Sequence, residues 1–286
     1  MSGSAKRQHT IKNKVSAEGV GLHSGQAVTV SLSPAPVDTG IVFRKRTQGK
    51  THEIKLQADK VQETPLCTKL VDGECSIQTI EHLLSALAGM EIDNIYVDLE
   101  GDELPMMDGS ASPFIFLIES AGVVEQTAAR KILKIKKPIR IEEGDKFVEF
   151  LPWEHFRLEI GIDFPHPVIQ GSTQSVSFDF SPMAYSKEVS RARTFGLASE
   201  LEALHKNGLA LGASLENAVG LSDSEVMNPE GLRANDEFVR HKLLDAIGDL
   251  YVRGPIQGLY RSFKPSHALN NRLLRALEAD QSAWED

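Results

Sequence analysis

Residues 235–250 read NDEFVRHKLLDAIGDL, and the reading of this stretch decides that of the rest of the chain. As a helix it puts residues four apart on one face, so Glu237, His241, Asp245 and Asp249 form a polar row while Phe238, Leu244, Ile247 and Tyr251 are free to pack. A solvated row would mix in lysines; this one sets an imidazole among three carboxylates inside an otherwise apolar helix. His241 and Asp245 can offer one nitrogen and one oxygen to a single ion, a donor mixture that zinc accepts. Such a pair also arises by chance at this composition, so a metal face and an ordinary helix surface both stay open. His155 and Glu159, also four apart, show how context decides. Phe156, Leu158, Ile160, Ile162 and Phe164 alternate there as in a strand. Four residues of strand span about 13 Å, too far to share one ion.

A second stretch answers the first. Leu83-Leu84-Ser85-Ala86-Leu87 lines up with Leu243-Leu244-Asp245-Ala246-Ile247, and the order of elements repeats around the two. In the first half, strand-like runs at 9–20, 27–32, 40–44, 52–56, 66–71 and 94–100 surround a helix at 77–88 that Ser76 is placed to cap. A short apolar helix near 112–120 follows. In the second half, runs at 131–141, 146–151, 156–164, 175–180 and 256–261 surround the 235–250 helix, and a last helix runs from about 266 to 278. The predicted class is α+β: two duplicated domains, each a small, mainly antiparallel sheet layered with two helices, the helices of the two packed together. The boundary is set in the polar, Ala-rich stretch 122–131, giving domains of residues 1–126 and 127–286. One His-bearing helix per half, near a pseudo-twofold axis, would bring His82 beside His241 and Asp245 and supply a third ligand. Only the second half carries a βαβ-like insert, at about 196–222, where GLALGAS and NAVGL follow a short helix at 199–206. Its small residues leave room for something narrow, or make a loosely packed flap.

At 286 residues and 41% hydrophobic, the chain is long enough for two ordinary domains or one large one. A formal charge of −9 speaks against non-specific binding to nucleic acid or anionic lipid, so an anionic substrate would need locally placed Lys and Arg. The only cysteines are Cys67 and Cys75, with no secretory signal and no apolar run of bilayer length, which reads as a cytoplasmic protein with reduced thiols. Cys67 reads as a buried thiol, with a metal or active-site role as its alternative. Gly19-x-Gly21 hints at a nucleotide loop, but the run after it, AVTVSL, is a strand rather than a helix, so the dinucleotide pattern fails its context.

Several separate stretches carry a resemblance over nearly the whole chain: GVGLHSG at 19–25, TIEHLLSALAG at 79–89, DNIYVDL at 93–99 with PMMDGSASPF at 105–114, SRARTFG at 190–196, RHKLLDAIGDL at 240–250 and KPSHALNN at 264–271. With these the chain resembles the zinc-dependent deacetylases that act on UDP-3-O-acyl-N-acetylglucosamine in bacterial lipid A biosynthesis. The resemblance implies that His82, His241 and Asp245 hold one zinc ion and leave a fourth position for water. It makes Glu81 the general base, where the residue alone reads equally as a helix-start carboxylate favoured by the dipole. It makes His267 the protonated acid, Asp249 its orienting partner and Thr194 a hydroxyl donor to the oxyanion. Lys242 would contact the sugar or phosphate end, and the insert would form a passage for the acyl chain lined by Phe195, Leu197, Leu211, Gly212, Ala218 and Val219. The implied partner is an acylated UDP-sugar, with no nucleic acid, no stable membrane insertion, at most transient contact with the inner-membrane surface, and a monomeric chain. Departures from the family pattern lie around 212–219 and in a short tail. Two other readings stand beside it. A zinc hydrolase of another amide lacks an H-E-x-x-H pattern, and a binding module with a structural metal lacks the spaced cysteines of a closed site.

Overall fold

The computed structural model describes residues 6–47, 49–64 and 66–286, in which alternating apolar residues build two sheets with one strand order. In the first sheet Ile95–Glu100 is central, antiparallel to Ala27–Pro34 and parallel to Ile41–Thr47, with Val15–Val20 and Lys50–Lys55 outermost. Ile95, Val97 and Leu99, with Val28, Val30 and Leu32, are buried on one face. On the other, Arg44 grips Asp98 through two hydrogen bonds of 2.7 Å. In the second sheet Ile256–Phe263 is central, antiparallel to Lys146–Leu151 and parallel to Phe156–Gly161, with Ile139–Glu143 and Ser175–Asp179 beyond them. Leu133–Ile135 pairs with the start of this central strand and with Trp284–Glu285. Each central strand is preceded by a helix, Glu81–Gly89 or Glu237–Leu250, and followed by another, Ser112–Ala121 or His267–Ala279. The fold is α+β, and among the described residues no helix is long and apolar enough to cross a membrane.

The two preceding helices meet at backbone distance. A Cβ on Gly248 would lie 2.0 Å from the carbonyl oxygen of Glu81, so only glycine fits there. Ser85, at the same contact, donates its hydroxyl to the Leu244 carbonyl at 2.8 Å and accepts from the Tyr185 hydroxyl at 2.7 Å. Around this seam Leu83, Leu84, Leu87, Leu243, Leu244 and Ile247 are essentially unexposed. Burying each such side chain is worth about 1.5–3 kcal/mol.

Four expectations are corrected. The run at 9–20 is not one strand: Arg7–Ile11 pairs with Val123–Ala129, and Val15–Val20 belongs to the first sheet. Backbone bonds from Lys12 and Asn13 to the Gly122 and Ala121 carbonyls turn the chain between them. The run at 131–141 is likewise two strands, Leu133–Ile135 and Ile139–Glu143, with different partners. Val123–Ala129 lies in the polar stretch where the boundary was set. It is an edge pairing with mostly exposed side chains, so no apolar alternation announces it. Ser76 does not cap a helix. Residues Cys75–Ile77 are a strand paired with Lys69–Asp72, and the helix begins only at Glu81, without a side-chain cap.

The 196–222 segment forms two parallel strands, Phe195–Leu197 and Val219–Leu221, joined through the helix Ala198–Lys206, which buries none of its residues. Backbone bonds from Leu211 and Gly212 to the His23 and Leu22 carbonyls tie it to the 19–25 loop.

Candidate active site

Contact at Gly248 and Ser85 brings the polar rows of the two helices together one turn away. His82 stands in the first turn of its helix, and His241 and Asp245 lie four apart on theirs. One donor atom from each of the three falls within 4.8 Å of the others. Asp245 Oδ1 is 3.4 Å from His82 Nε2 and 3.3 Å from His241 Nε2. Nδ1 of His241 donates to the Ala192 carbonyl at 3.0 Å, which fixes the ring and leaves the Nε2 lone pair facing Asp245. Burial pushes the His241 imidazole down to about 3, so it is neutral at physiological pH, the form that binds a metal. Burial opposes charge on Asp245 too, but His241 and the Lys242 ammonium outweigh it and hold the carboxyl well below its ordinary range. Lys242 Nζ donates to Asp245 Oδ2 at 2.9 Å. Two imidazole nitrogens and one ionised carboxylate, all buried, suit a metal ion that keeps a coordination position open.

A second cluster adjoins the first. Glu81 is buried, and its Oε2 accepts the Thr68 backbone N–H at 2.9 Å while Oε1 faces His267 Nε2 at 3.8 Å. Burial raises the Glu81 carboxyl, and His267 and His82 only partly offset it. His267 opens the last helix, whose cap is the Ser266 hydroxyl accepting from Leu269 N. Its Nδ1 donates to Asp249, 2.9 Å from Oδ2 and 3.1 Å from Oδ1. Burial alone would neutralise this imidazole, but Asp249 and Glu81 outweigh it and raise His267 to about 9. Asp249 also accepts from the Thr68 hydroxyl at 2.5 Å and from Asn270 Nδ2 at 2.8 Å. At neutral pH the cluster therefore holds a charged imidazolium oriented by Asp249 and a buried carboxyl one residue from a metal-ligand position.

The remaining expected residues lie around these six. Thr194 is placed by its backbone, its N–H donating to Gly109 O at 2.9 Å and its carbonyl accepting from Val219 N at 2.8 Å. The Phe195 ring packs 5.0 Å from Phe238 and 6.2 Å from His241, with Lys242 Nζ 5.9 Å from its centroid. Leu197 and Val219 belong to the parallel strand pair, and Ala218 precedes the second strand. Leu211 is half exposed. Gly212 is held against Gly21, whose carbonyl oxygen would be 2.2 Å from an added Cβ, so a bulky residue there would displace the loop before it met an acyl chain. Cys67 is a buried free thiol that burial, then Glu81, pushes up to about 11.

The helix row also divides. Glu237 does not face the cluster; it accepts from Arg193 N at 3.1 Å and Arg193 Nε at 2.9 Å, both residues being buried. This pair clamps the 190–196 stretch, and with it the Ala192 carbonyl, to the first turn of the His241 helix. Sequence reasoning missed Arg193, Thr68 and Asn270. Asn270 was findable, three residues after His267 on the same helix face; Thr68 reaches Asp249 across 181 positions, and no local pattern marks it.

An α+β chain with an open His-His-Asp cluster, flanked by a buried carboxyl and a charged imidazole, has the layout of a metal-dependent hydrolase. Residues 8–279 match the model of the UDP-3-O-acyl N-acetylglycosamine deacetylases, and the chain belongs to that family. It is 53% identical over 280 residues to the UDP-3-O-acyl-N-acetylglucosamine deacetylase of Pseudomonas entomophila (strain L48), covering 98% of this chain and 92% of the relative. The enzyme of the same name from Shewanella sp. (strain W3-18-1) is 54% identical over 280 residues, covering 97% of this chain and 92% of the relative. That from Thioalkalivibrio sulfidiphilus (strain HL-EbGR7) is 52% identical, with 98% and 92% covered.

Proposed function

We propose that this chain hydrolyses the acetamide of UDP-3-O-acyl-N-acetylglucosamine, releasing acetate and the free amine, as a step of lipid A biosynthesis. The observation that carries the reading is the opposed pair beside the ligand cluster: a buried Glu81 carboxyl and a His267 imidazolium, 3.8 Å apart. His82, His241 and Asp245 would hold a zinc ion, which when bound lowers the pKa of water and polarises a carbonyl oxygen.

Glu81 takes a proton from the attacking water as the new carbon–oxygen bond forms. Its burial makes it a stronger base than an exposed carboxylate, and the Thr68 N–H on Oε2 leaves Oε1 for the proton. His267, charged through neutral pH, gives a proton to the amide nitrogen as the carbon–nitrogen bond breaks, so the amine leaves neutral. Asp249 holds the ring by Nδ1 and stabilises its charge, which directs Nε2–H at the reacting group. Thr194, fixed by backbone bonds on both sides, is assigned the hydroxyl that donates to the developing oxyanion. Lys242 is assigned the anionic end of the substrate; its ammonium already balances Asp245 and lies over Phe195. Phe195, Leu197, Leu211, Ala218 and Val219 are assigned to the acyl chain, and Gly212 to holding the segment against the 19–25 loop.

The test is release of free amine from UDP-3-O-acyl-N-acetylglucosamine by the protein as purified, after metal stripping, and after one equivalent of zinc is returned. Activity lost and then restored is the expected result. A folded, zinc-loaded protein that releases no amine overturns the substrate assignment.

A further inference from the structure

Thr68 lies in none of the stretches that mark the site in the sequence, yet it is 3% exposed and touches both proton-handling groups. Its N–H donates to Glu81 Oε2 at 2.9 Å, its hydroxyl donates to Asp249 Oδ1 at 2.5 Å, and the hydroxyl oxygen of Thr68 is 3.3 Å from His267 Nδ1. Its carbonyl accepts from Ile80 N at 3.4 Å, at the start of the Glu81 helix. One residue is thus bonded to the helix that carries the base, to the base itself, and to the carboxylate that orients the acid.

We infer that Thr68 is a positioning residue for proton transfer, registering Glu81 from one helix against the Asp249–His267 pair from two others. The inference rests on the deacetylase reading and deepens it. Glu81 has two equivalent oxygens, and tethering Oε2 to a backbone N–H is what commits Oε1 to the side where His267 Nε2 stands, 3.8 Å away. Asp249 receives three donors: the Thr68 hydroxyl on Oδ1, Asn270 on Oδ2, and His267 Nδ1 between them. Without the hydroxyl, Oδ1 has only His267 Nδ1 left to satisfy it, so the carboxylate rotates and the ring turns with it. A displacement of about 1 Å at a reacting group costs on the order of a hundredfold in rate. The β-branched side chain restricts χ1, so the hydroxyl is aimed before substrate arrives.

Thr68→Val keeps the shape and the backbone N–H but removes the hydroxyl, and Thr68→Ser keeps the hydroxyl; if the valine variant does not fold, Thr68→Ala takes its place. With the zinc-loaded full chain, the valine variant is expected to lose about ten- to a hundredfold in kcat, the worth of a hydrogen bond to a charged group, with KM and zinc content unchanged. Thr68→Ser should recover kcat to within about threefold, and in an Asp249→Asn background Thr68→Val should cost little more. Wild-type kcat in the valine or alanine variant overturns the inference, as does a serine variant no better than it, or losses that multiply in full with Asp249→Asn. A wild-type chain that does not deacetylate overturns the functional reading itself, an outcome distinct from an active chain indifferent to the hydroxyl.

Discussion

The helix pair assigned the chemistry and the strand pair assigned the acyl chain are built on opposite plans. Glu81–Gly89 is buried at every residue and meets Glu237–Leu250 at backbone distance across Gly248. Its site residues are held by named partners: Glu81 by Thr68, His241 by Ala192, and Asp249 by Thr68, His267 and Asn270. In the 195–221 segment the connecting helix buries nothing and Leu211 is half exposed. Its strands are tied in, Val219 N to the Thr194 carbonyl and the Asn228 amide to the Leu215 and Ala218 carbonyls, while the loop between helix and strand is held to the 19–25 loop by backbone bonds at Leu211 and Gly212. Fixed geometry is needed where protons move, and a surface that can adapt suffices where an acyl chain lies. Substitutions in the first region should therefore change rate, and those in the second should change which substrates are ranked first.

The largest effect that separates the regions is expected from Glu81→Ala. Loss of a general base costs about 10²- to 10⁴-fold in kcat. KM and metal content should stay near wild type, read by steady-state kinetics and metal analysis on the same sample. Asp249→Asn comes next, with kcat down about a hundredfold and a shift that has a definite sign. Burial lowers the His267 pKa and Asp249 is the first of the groups that raise it to about 9, so removing that charge must move the alkaline limb of the rate profile to lower pH. An alkaline limb that stays in place would detach Asp249 from the acid. Gly248→Ala tests the seam rather than the chemistry. Its Cβ would lie 2.0 Å from Glu81 O, so the helices must separate, at about 1–3 kcal/mol of stability read by denaturant unfolding. The smallest effect belongs to the outer segment. Leu211→Ala should change stability by under about 0.5 kcal/mol and leave kcat on the preferred substrate unchanged. It should alter the relative kcat/KM across a series of acyl lengths. An unchanged series would break the division of labour proposed for the two regions.

What the sequence showed of this site follows from how local each signal is. His241 and Asp245 are visible because both lie on one helix at the spacing that makes them neighbours. His82 required the internal match between 83–87 and 243–247, since nothing near it names its partners. The same period that found Asp245 also enrolled Glu237, which the structure gives to Arg193 instead; the row shows a shared face, not what faces it. Ser76 looked like a cap because a polar residue preceded an apolar run, but residues 75–77 had a hairpin partner in 69–72, and strand pairing won. Val123–Ala129 was silent because an exposed edge strand buries no apolar face. Thr68 was silent because its meaning is a contact made across the chain, and hydrogen bonds of that range leave no periodic trace.

Glu81 and His267 as base and acid are tested most directly by the pH dependence of kcat/KM for the zinc-loaded wild type and for His267→Gln. Glu81 must be ionised and His267 protonated, so the wild type should give a bell. Its acid limb should lie above the ordinary carboxylate range, because burial raises Glu81, and its alkaline limb near the His267 value of about 9. The glutamine variant should be slower throughout and should lose the alkaline limb while keeping the acid one. An alkaline limb of unchanged position in His267→Gln would contradict the assignment, because the group titrating there would then be some other than the imidazole held by Asp249.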